Sequence, residues 1–255
     1  MGIDNSFNRE IQLGNLKLVR CKSELTRLPE GKLLINTINA FSYNNARKDN
    51  RFAEALVCGD VLIPDGMSVV KACQWLGNAD APTERVAGWD LFEFEMQRLN
   101  DGGASKKVMF FGSSNHVLDL IKKRCKIQYP NLTVVTFSPP YKPIFSEEDN
   151  QLMVSTINEA CPDLLWIGMT APKQEKWTYD NWDKLKVNCH VGTIGAVFDF
   201  YAGTAKRAPM WWQQHGLEWL YRLIKEPKRM WRRYIIGNVE FIMYILIEKF
   251  GQFRK

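Results

Sequence analysis

The sequence predicts an α/β protein: a mostly parallel sheet with helices on both faces, followed by a helical, basic appendage. Three observations predict it. Between about residues 31 and 200, short apolar runs alternate with helix-length segments. The runs are nearly continuous in apolar residues, as in strands covered on both faces. Beyond Gly195 the strand-like runs stop, and the remainder reads as helices.

Each element follows from its own pattern. Residues 8–24 read as a small hairpin turning at Gly14-Asn15. Leu33-Leu34-Ile35-Asn36 is the first strand, with a helix over about 42–56. Val61-Leu62-Ile63 follows, with helices over about 66–77 and 89–100. Val108-Met109-Phe110-Phe111 precedes a helix over about 114–128, and Leu132-Thr133-Val134-Val135 one over about 146–160. Leu164-Leu165-Trp166-Ile167 leads into a helix over about 172–183, and Val187 to Val191 is the last strand. Such alternation makes a Rossmann-like sheet. Pro209 then starts a helix to about Lys225. Pro227 opens another to about Lys249, in the first-turn position that proline favours. The chain divides into an α/β body, 1–204, and a helical appendage, 205–255.

Charge separates the two parts. The chain holds 34 Lys+Arg and 28 Asp+Glu, a net charge of +6. The appendage has 11 basic and 4 acidic residues, so the body is close to neutral. Four of nine tryptophans, Trp211, Trp212, Trp219 and Trp231, also lie in the appendage. A basic, Trp-rich end on a neutral body suits an anionic surface. Arginine at its start with apolar bulk beyond favours a membrane interface. No nucleic-acid motif is present, so no nucleic-acid partner is expected. The longest apolar stretch, Ile235 to Ile247, is 13 residues and carries Asn238 and Glu240. A spanning helix needs about 20, so the expectation is a cytoplasmic protein attached peripherally to the inner membrane face. Packing into a core, or a homo-oligomer contact, would use the same apolar surface. The polar start, Met1 to Glu10, lacks a signal-peptide core. The six cysteines form no C-x-x-C pair, and the three histidines have no metal-ligand spacing. No metal or other cofactor is expected, and no G-x-S-x-G elbow or G-x-G-x-x-G loop is present.

In such sheets the ligand lies beyond the carboxyl ends of the strands. Thr37 and Asn39 follow the first strand two residues apart, on one side of an extended segment. They suit ligand hydroxyls, or turn and cap chemistry. Asp65, in Pro64-Asp65-Gly66, stands where strand passes to helix, as a general base or as a helix cap. Arg85 is a two-pronged phosphate ligand or a solvated loop residue. Phe111-Gly112-Ser113-Ser114 is a phosphate cradle or, more simply, a serine cap. Gln174 suits sugar hydroxyls or begins a surface helix. Gly195 allows close approach of backbone to ligand. Asp199, a charge among aromatics, accepts from a ribose or base, or caps a turn.

Taken in order, several segments resemble the WecG/TagA/CpsF glycosyltransferases, family twenty-six. They are Asn36-Thr37-Ile38-Asn39-Ala40, Pro64-Asp65-Gly66, Arg85-Val86-Ala87-Gly88, Ala171-Pro172-Lys173-Gln174-Glu175-Lys176-Trp177, Phe198 to Gly203, Arg207-Ala208-Pro209, and Gly216 to Pro227. The resemblance spans about residues 30 to 235. It implies transfer of a sugar from a UDP-sugar to a polyprenyl-diphosphate-linked saccharide in cell-envelope or exopolysaccharide synthesis. The sugar implied is N-acetylmannosamine or its uronic acid, moved with inversion and without a metal. A hexose or hexuronic acid donor, or a non-catalytic nucleotide-sugar scaffold, are the alternatives. The resemblance makes Asp65 the base, with Thr37 and Asn39 in the pocket. It has Arg85 and Gln174 contact diphosphate and substrate, and it implies an appendage that closes over the site and docks on the membrane, with Arg222, Arg229 and Arg232 reaching in. Thr170, and Thr193 to Val197, depart from the family pattern at the expected nucleotide-sugar pocket.

Overall fold

The computed structural model describes residues 11–102 and 105–252. Six parallel strands form one sheet in the order β2-β1-β6-β5-β3-β4. They are β1 (Leu33–Ile38), β2 (Val61–Pro64), β3 (Lys106–Gly112), β4 (Leu132–Phe137), β5 (Leu164–Gly168) and β6 (His190–Thr193). The registers Ile35↔Val61, Leu33↔His190, Leu164↔His190 and Val108↔Leu164 align the strands so that their carboxyl ends form one edge.

Helices cover both faces. On one face α4 (Gly88–Asp101), α5 (Asn115–Gln128) and α8 (Ala196–Ala202) pack on Ile35, Val108, Phe110 and Trp166. On the other, α6 (Glu147–Ala160) and α7 (Lys173–Asn181) pack on Met109, Phe111, Leu165 and Val191. That face continues at the β1–β2 end under α1 (Ala40–Lys48), α2 (Asn50–Val57) and α3 (Met67–Leu76), around Ile38, Phe52 and Leu62. β1 and β5 therefore lead to helices on one face, while β6 between them leads to the other. This divergence opens a crevice at the strand ends.

The chain after Gly203 folds as α9 (Met210–Gln214), α10 (Glu218–Lys225), α11 (Pro227–Trp231), a π-helical turn (Arg232–Ile236) and α12 (Gly237–Gln252). α12 is not a loose tail. Phe241 and Ile245 join the core of α1, α2 and α3, and Tyr43 meets Phe241 edge-on at 5.6 Å. Glu248, buried on α12, accepts hydrogen bonds from Leu13 N (2.9 Å), Gly14 N (2.6 Å) and Tyr43 Oη (2.9 Å). The opposite face of α12 is apolar and exposed, through Val239, Ile242, Met243, Ile247 and Phe250. The core packing foreseen for this stretch thus occurs on one face of the helix, while its other face stays apolar and exposed. No helix among the described residues is long and apolar enough to cross a membrane.

Several local expectations change. From residue 11 onward there is no hairpin: Leu13–Asn15 and Lys22–Arg27 are 3-10 turns. Residues 8–10 of that expected hairpin, and the polar start 1–10, lie outside the described residues. The helix expected over 42–56 breaks at Asp49, whose carboxylate caps α2 by accepting from Phe52 N at 3.0 Å. The helix expected from Pro209 to Lys225 breaks at Gly216, which adopts φ +69°. β6 starts at His190 rather than Val187, because Val187 and Cys189 fill the core before the strand pairs. Among the described residues no strand follows Thr193.

Candidate active site

The loops after all six strands line one cleft of about 1620 Å³, roofed by α10 to α12. Thr37 and Asn39 face it from β1, and Asp65 from β2. Arg85 reaches it from the segment before α4. Gln174 comes from the first turn of α7, Gly195 from the β6–α8 connection and Asp199 from α8, and Arg222 and Arg229 come from the roof.

Asp65 does not cap a helix. The cap of α3 is Gly66, which makes no side-chain bond, and the Asp65 carboxylate turns instead to Arg85. Its backbone N–H donates to Ile38 O at 2.8 Å, which ties the residue to the end of β1. Arg85 is not a solvated loop residue. Its side chain is 18% exposed, and its Nη2 donates to Asp65 Oδ1 (3.2 Å) and Glu218 Oε2 (3.0 Å). Burial opposes the charge on Arg85, but Asp65 and Glu218 outweigh it and hold its pKa above the ordinary arginine value.

Asn39 takes the cap role. Its Oδ1 accepts from Ser42 N at 3.1 Å while Ser42 Oγ accepts from Asn39 N at 2.7 Å, a reciprocal box at the start of α1. The remaining amide group lies at the cleft wall. Ser114 caps α5 by accepting from Val117 N, as the simpler reading of that loop has it. Gly112 before it adopts φ +124°, and a Cβ there would lie 2.4 Å from Gly168 O.

Gln174 is buried rather than at a surface helix start. Its Oε1 accepts from Met169 N and Gly195 N, both at 3.2 Å, and its Nε2 donates to Glu175 Oε1 at 2.8 Å. The amide thus stitches the ends of β5 and β6 together. Gly195 is required by this packing: a Cβ would sit 2.5 Å from Met169 O and 2.9 Å from Gln174 Oε1. Glu175 is buried beside it, with Oε2 unpartnered among the described residues. Burial pushes its carboxyl up to about 7. Asp199 is exposed at the cleft, where its Oδ1 accepts from Thr204 Oγ1 at 3.2 Å. Thr170, Thr193 and Val197 do border the cleft.

The roof brings in positive charge. Arg222 lies over the Phe200 ring at 4.7 Å and donates to Glu218 Oε1 at 3.1 Å. Arg229 is 72% exposed and pairs with Glu226. Arg232 does not line the cleft; it is exposed, over the Trp231 ring. Arg233 enters instead, over Phe41 at 4.3 Å, with a buried Nε unpartnered among the described residues. Helix spacing accounts for the shift. The π-helical turn begins only at Arg232, and Arg233 stands four residues after Arg229, the ordinary spacing of two side chains on one helix face. Arg207 also lines the cleft, over Trp89 at 5.2 Å. Desolvation lowers the pKa of both Arg207 and Arg233, as for cations held without a full complement of anions.

Sequence reading gave no individual role to several charged cleft residues, among them Glu175, Arg207, Glu218 and Arg233, though the first three lie in segments quoted above. Glu218 left one signal, an acid in the first turn of a helix within a strongly basic segment. The arrangement can do two things. It presents a carboxylate to a hydroxyl beside strand ends, and it presents several guanidinium groups to an anion. Among the described residues no group of three or more His, Cys, Asp or Glu is placed to hold a metal ion.

A model of the family described as "Glycosyl transferase WecG/TagA/CpsF family" matches residues 10–255. A Bacillus subtilis (strain 168) protein is 29% identical over 216 residues, 85% of this chain and 80% of its own length. It is named N-acetylglucosaminyldiphosphoundecaprenol N-acetyl-beta-D-mannosaminyltransferase. A Bacillus spizizenii (strain W23) protein of the same name is 30% identical over 212 residues, 82% of this chain and 78% of its own length.

Proposed function

The chain belongs to the WecG/TagA/CpsF family of glycosyltransferases, and on that premise we propose that it transfers N-acetylmannosamine, or its uronic acid, from a UDP-sugar to a polyprenyl-diphosphate-linked saccharide. The names of the two Bacillus relatives support the sugar and the acceptor class. The observation that carries the reading is one cleft holding Asp65, hydrogen-bonded to Arg85, under a roof of arginines.

The chemistry is a single displacement with inversion. Asp65 takes the proton of the acceptor hydroxyl as its oxygen attacks the anomeric carbon. The new carbon–oxygen bond forms while the bond from that carbon to the diphosphate breaks. UDP leaves with the electron pair, and its growing charge falls to Arg85, Arg222 and Arg233. Thr37 and Asn39 bound the acceptor side, and Asp199 faces the donor. Gln174 acts by holding Met169 and Gly195, which shape the sugar pocket. With arginines taking the diphosphate charge, the step needs no divalent cation.

The acceptor's lipid places the reaction at a membrane. The exposed apolar face of α12, with Ile235, Ile236 and Trp231 beside it, suits insertion among acyl chains. Lys225, Lys228 and Arg232 nearby suit anionic headgroups. The site then faces the lipid-linked acceptor at the cytoplasmic leaflet.

The test is UDP release from a panel of UDP-sugars with a short-chain lipid-diphosphate-GlcNAc, in EDTA, with product mass. Release with UDP-N-acetylmannosamine or its uronic acid as the one active donor, and a product heavier by that sugar, is the expected result. Transfer of a hexose would replace the donor assignment. Dependence on added divalent cation would overturn the arginine-only account of the leaving group.

A further inference from the structure

One carboxylate in the cleft has no part in the displacement, yet it is the most heavily engaged. Glu218 lies in the first turn of α10, and its side chain is 12% exposed. Its Oε2 accepts from Arg85 Nη2 at 3.0 Å and its Oε1 from Arg222 Nη2 at 3.1 Å. Burial raises the pKa of such a group, but Arg85, Arg222 and Arg207 outweigh it and pull the carboxyl below its usual range. An acid in a first turn favours a helix at the surface without any partner. That role does not explain why this one is withdrawn from water and shared between two arginines. It also removes positive charge where an anionic substrate needs it, which a site built for charge alone would avoid.

The geometry has a consequence. Arg85 belongs to the body and Arg222 to the roof, and one carboxylate holds them side by side. The Nη2 of Arg85 that meets Glu218 also meets Asp65. Asp65, Arg85, Glu218 and Arg222 therefore form one chain from the end of β2 to α10. We propose that Glu218 is a positioning residue for the transfer reaction. It seats α10 on the catalytic loop and divides Arg85 between two carboxylates, so that both arginines face the departing diphosphate. Without it, Arg85 has only Asp65 to meet, and Arg222 follows a roof that is no longer tied to the body.

The inference rests on the reading of Asp65 as base and Arg85 as diphosphate ligand, so the experiment separates the two. Turnover and UDP affinity are measured for the full-length protein and for Asp65→Asn, Arg85→Lys, Glu218→Gln, Glu218→Asp and the double variant Arg85→Lys/Glu218→Gln. Glu218→Gln is expected to lower kcat by about 10- to 100-fold while UDP affinity changes by less than about threefold. Glu218→Asp keeps the charge but is too short to bridge both arginines, and is expected to show a similar loss. On the Arg85→Lys background, Glu218→Gln is expected to cost less than about threefold more, because residues acting as one unit are not additive. Wild-type kcat in Glu218→Gln, or fully additive losses in the double variant, would overturn the proposal. If Glu218→Gln does not fold, Glu218→Asp against Arg222→Gln runs the same cycle, with additive losses again decisive against it. If Asp65→Asn keeps full turnover, the underlying reading fails instead.

Discussion

The floor and the roof of the cleft are built on different principles. On the floor, polar groups are locked by backbone. Gln174 takes two main-chain N–H groups, Asn39 closes a capping box, and Gly195 leaves no room for a Cβ. On the roof, arginines extend from helices whose outer faces are open to solvent. Arg222 is 24% and Arg229 72% exposed, and their partners are other side chains. Strand ends in a parallel sheet are held by neighbours on both sides, so their loops start from fixed points. Helices beyond the sheet are fixed only by the surfaces they rest on. The contrast teaches a division of labour: the floor supplies fixed geometry, and the roof supplies positive charge on side chains that are less firmly held.

This division can be broken or sharpened by substitution. The largest effect should come from the floor. Asp65→Asn is expected to lower turnover by about a thousandfold while UDP affinity, measured by calorimetry, holds. Equal loss of both would move Asp65 from chemistry to binding.

The next effect is on stability, and it has a pH sign. The Glu175 carboxyl is raised by burial to about 7 in the folded protein, against 4.5 ordinarily. Its contribution to stability is full below about pH 4.5 and is lost as pH rises to about 7. Glu175→Gln removes that loss. Its free energy of unfolding in urea titrations should match wild type near pH 4.5 and exceed it at pH 8, by up to about 3 kcal/mol. An equal free energy at pH 8 would mean that Glu175 is solvated.

Gly195→Ala forces a Cβ against Met169 O, and about 2 kcal/mol of stability should go with it. A melting temperature within a degree of wild type would show a floor less rigid than described.

On the roof, Arg233→Gln is expected to lower kcat/KM for the donor by about tenfold, and Arg232→Gln by less than about twofold. The reverse order would make Arg232, not Arg233, the arginine that meets the donor. Smallest in stability is Ile242→Ser on the exposed face of α12, within about 0.5 kcal/mol of wild type. The same change should weaken sedimentation with anionic vesicles. Unchanged sedimentation would assign that face to another contact. Point changes suit this region better than truncation, because Phe241, Ile245 and Glu248 belong to the body's core.

Much of this was legible beforehand. The six strands were visible because residues covered on both faces must be apolar almost without interruption, and Leu164-Leu165-Trp166-Ile167 can hardly be anything else. Helix breaks were harder. Asp49 divides a helix with its own side chain, a local choice that competes with the helical pattern around it. The expected hairpin failed because Gly14-Asn15 is held by a carboxylate 234 residues away from Gly14, which no local pattern reveals.

The sequence by itself determined the sheet, the helices that cover it, the charge of the C-terminal segment and the strand ends at which a ligand must lie. Periodicity and composition are local properties, and these features depend on little else. It also singled out Thr37, Asn39, Asp65, Gln174 and Gly195, because they lie at or just past strand ends, and Arg85 in the segment between two helices. Only the tertiary structure decided that Gln174 bonds to backbone, that Arg233 rather than Arg232 enters the cleft, and that Glu218 joins Arg85 to Arg222. Those outcomes depend on helix phase and on contacts between segments more than a hundred residues apart, such as the |i−j| of 133 between Arg85 and Glu218. A partner across that distance is set by packing, and packing is a property of the whole fold.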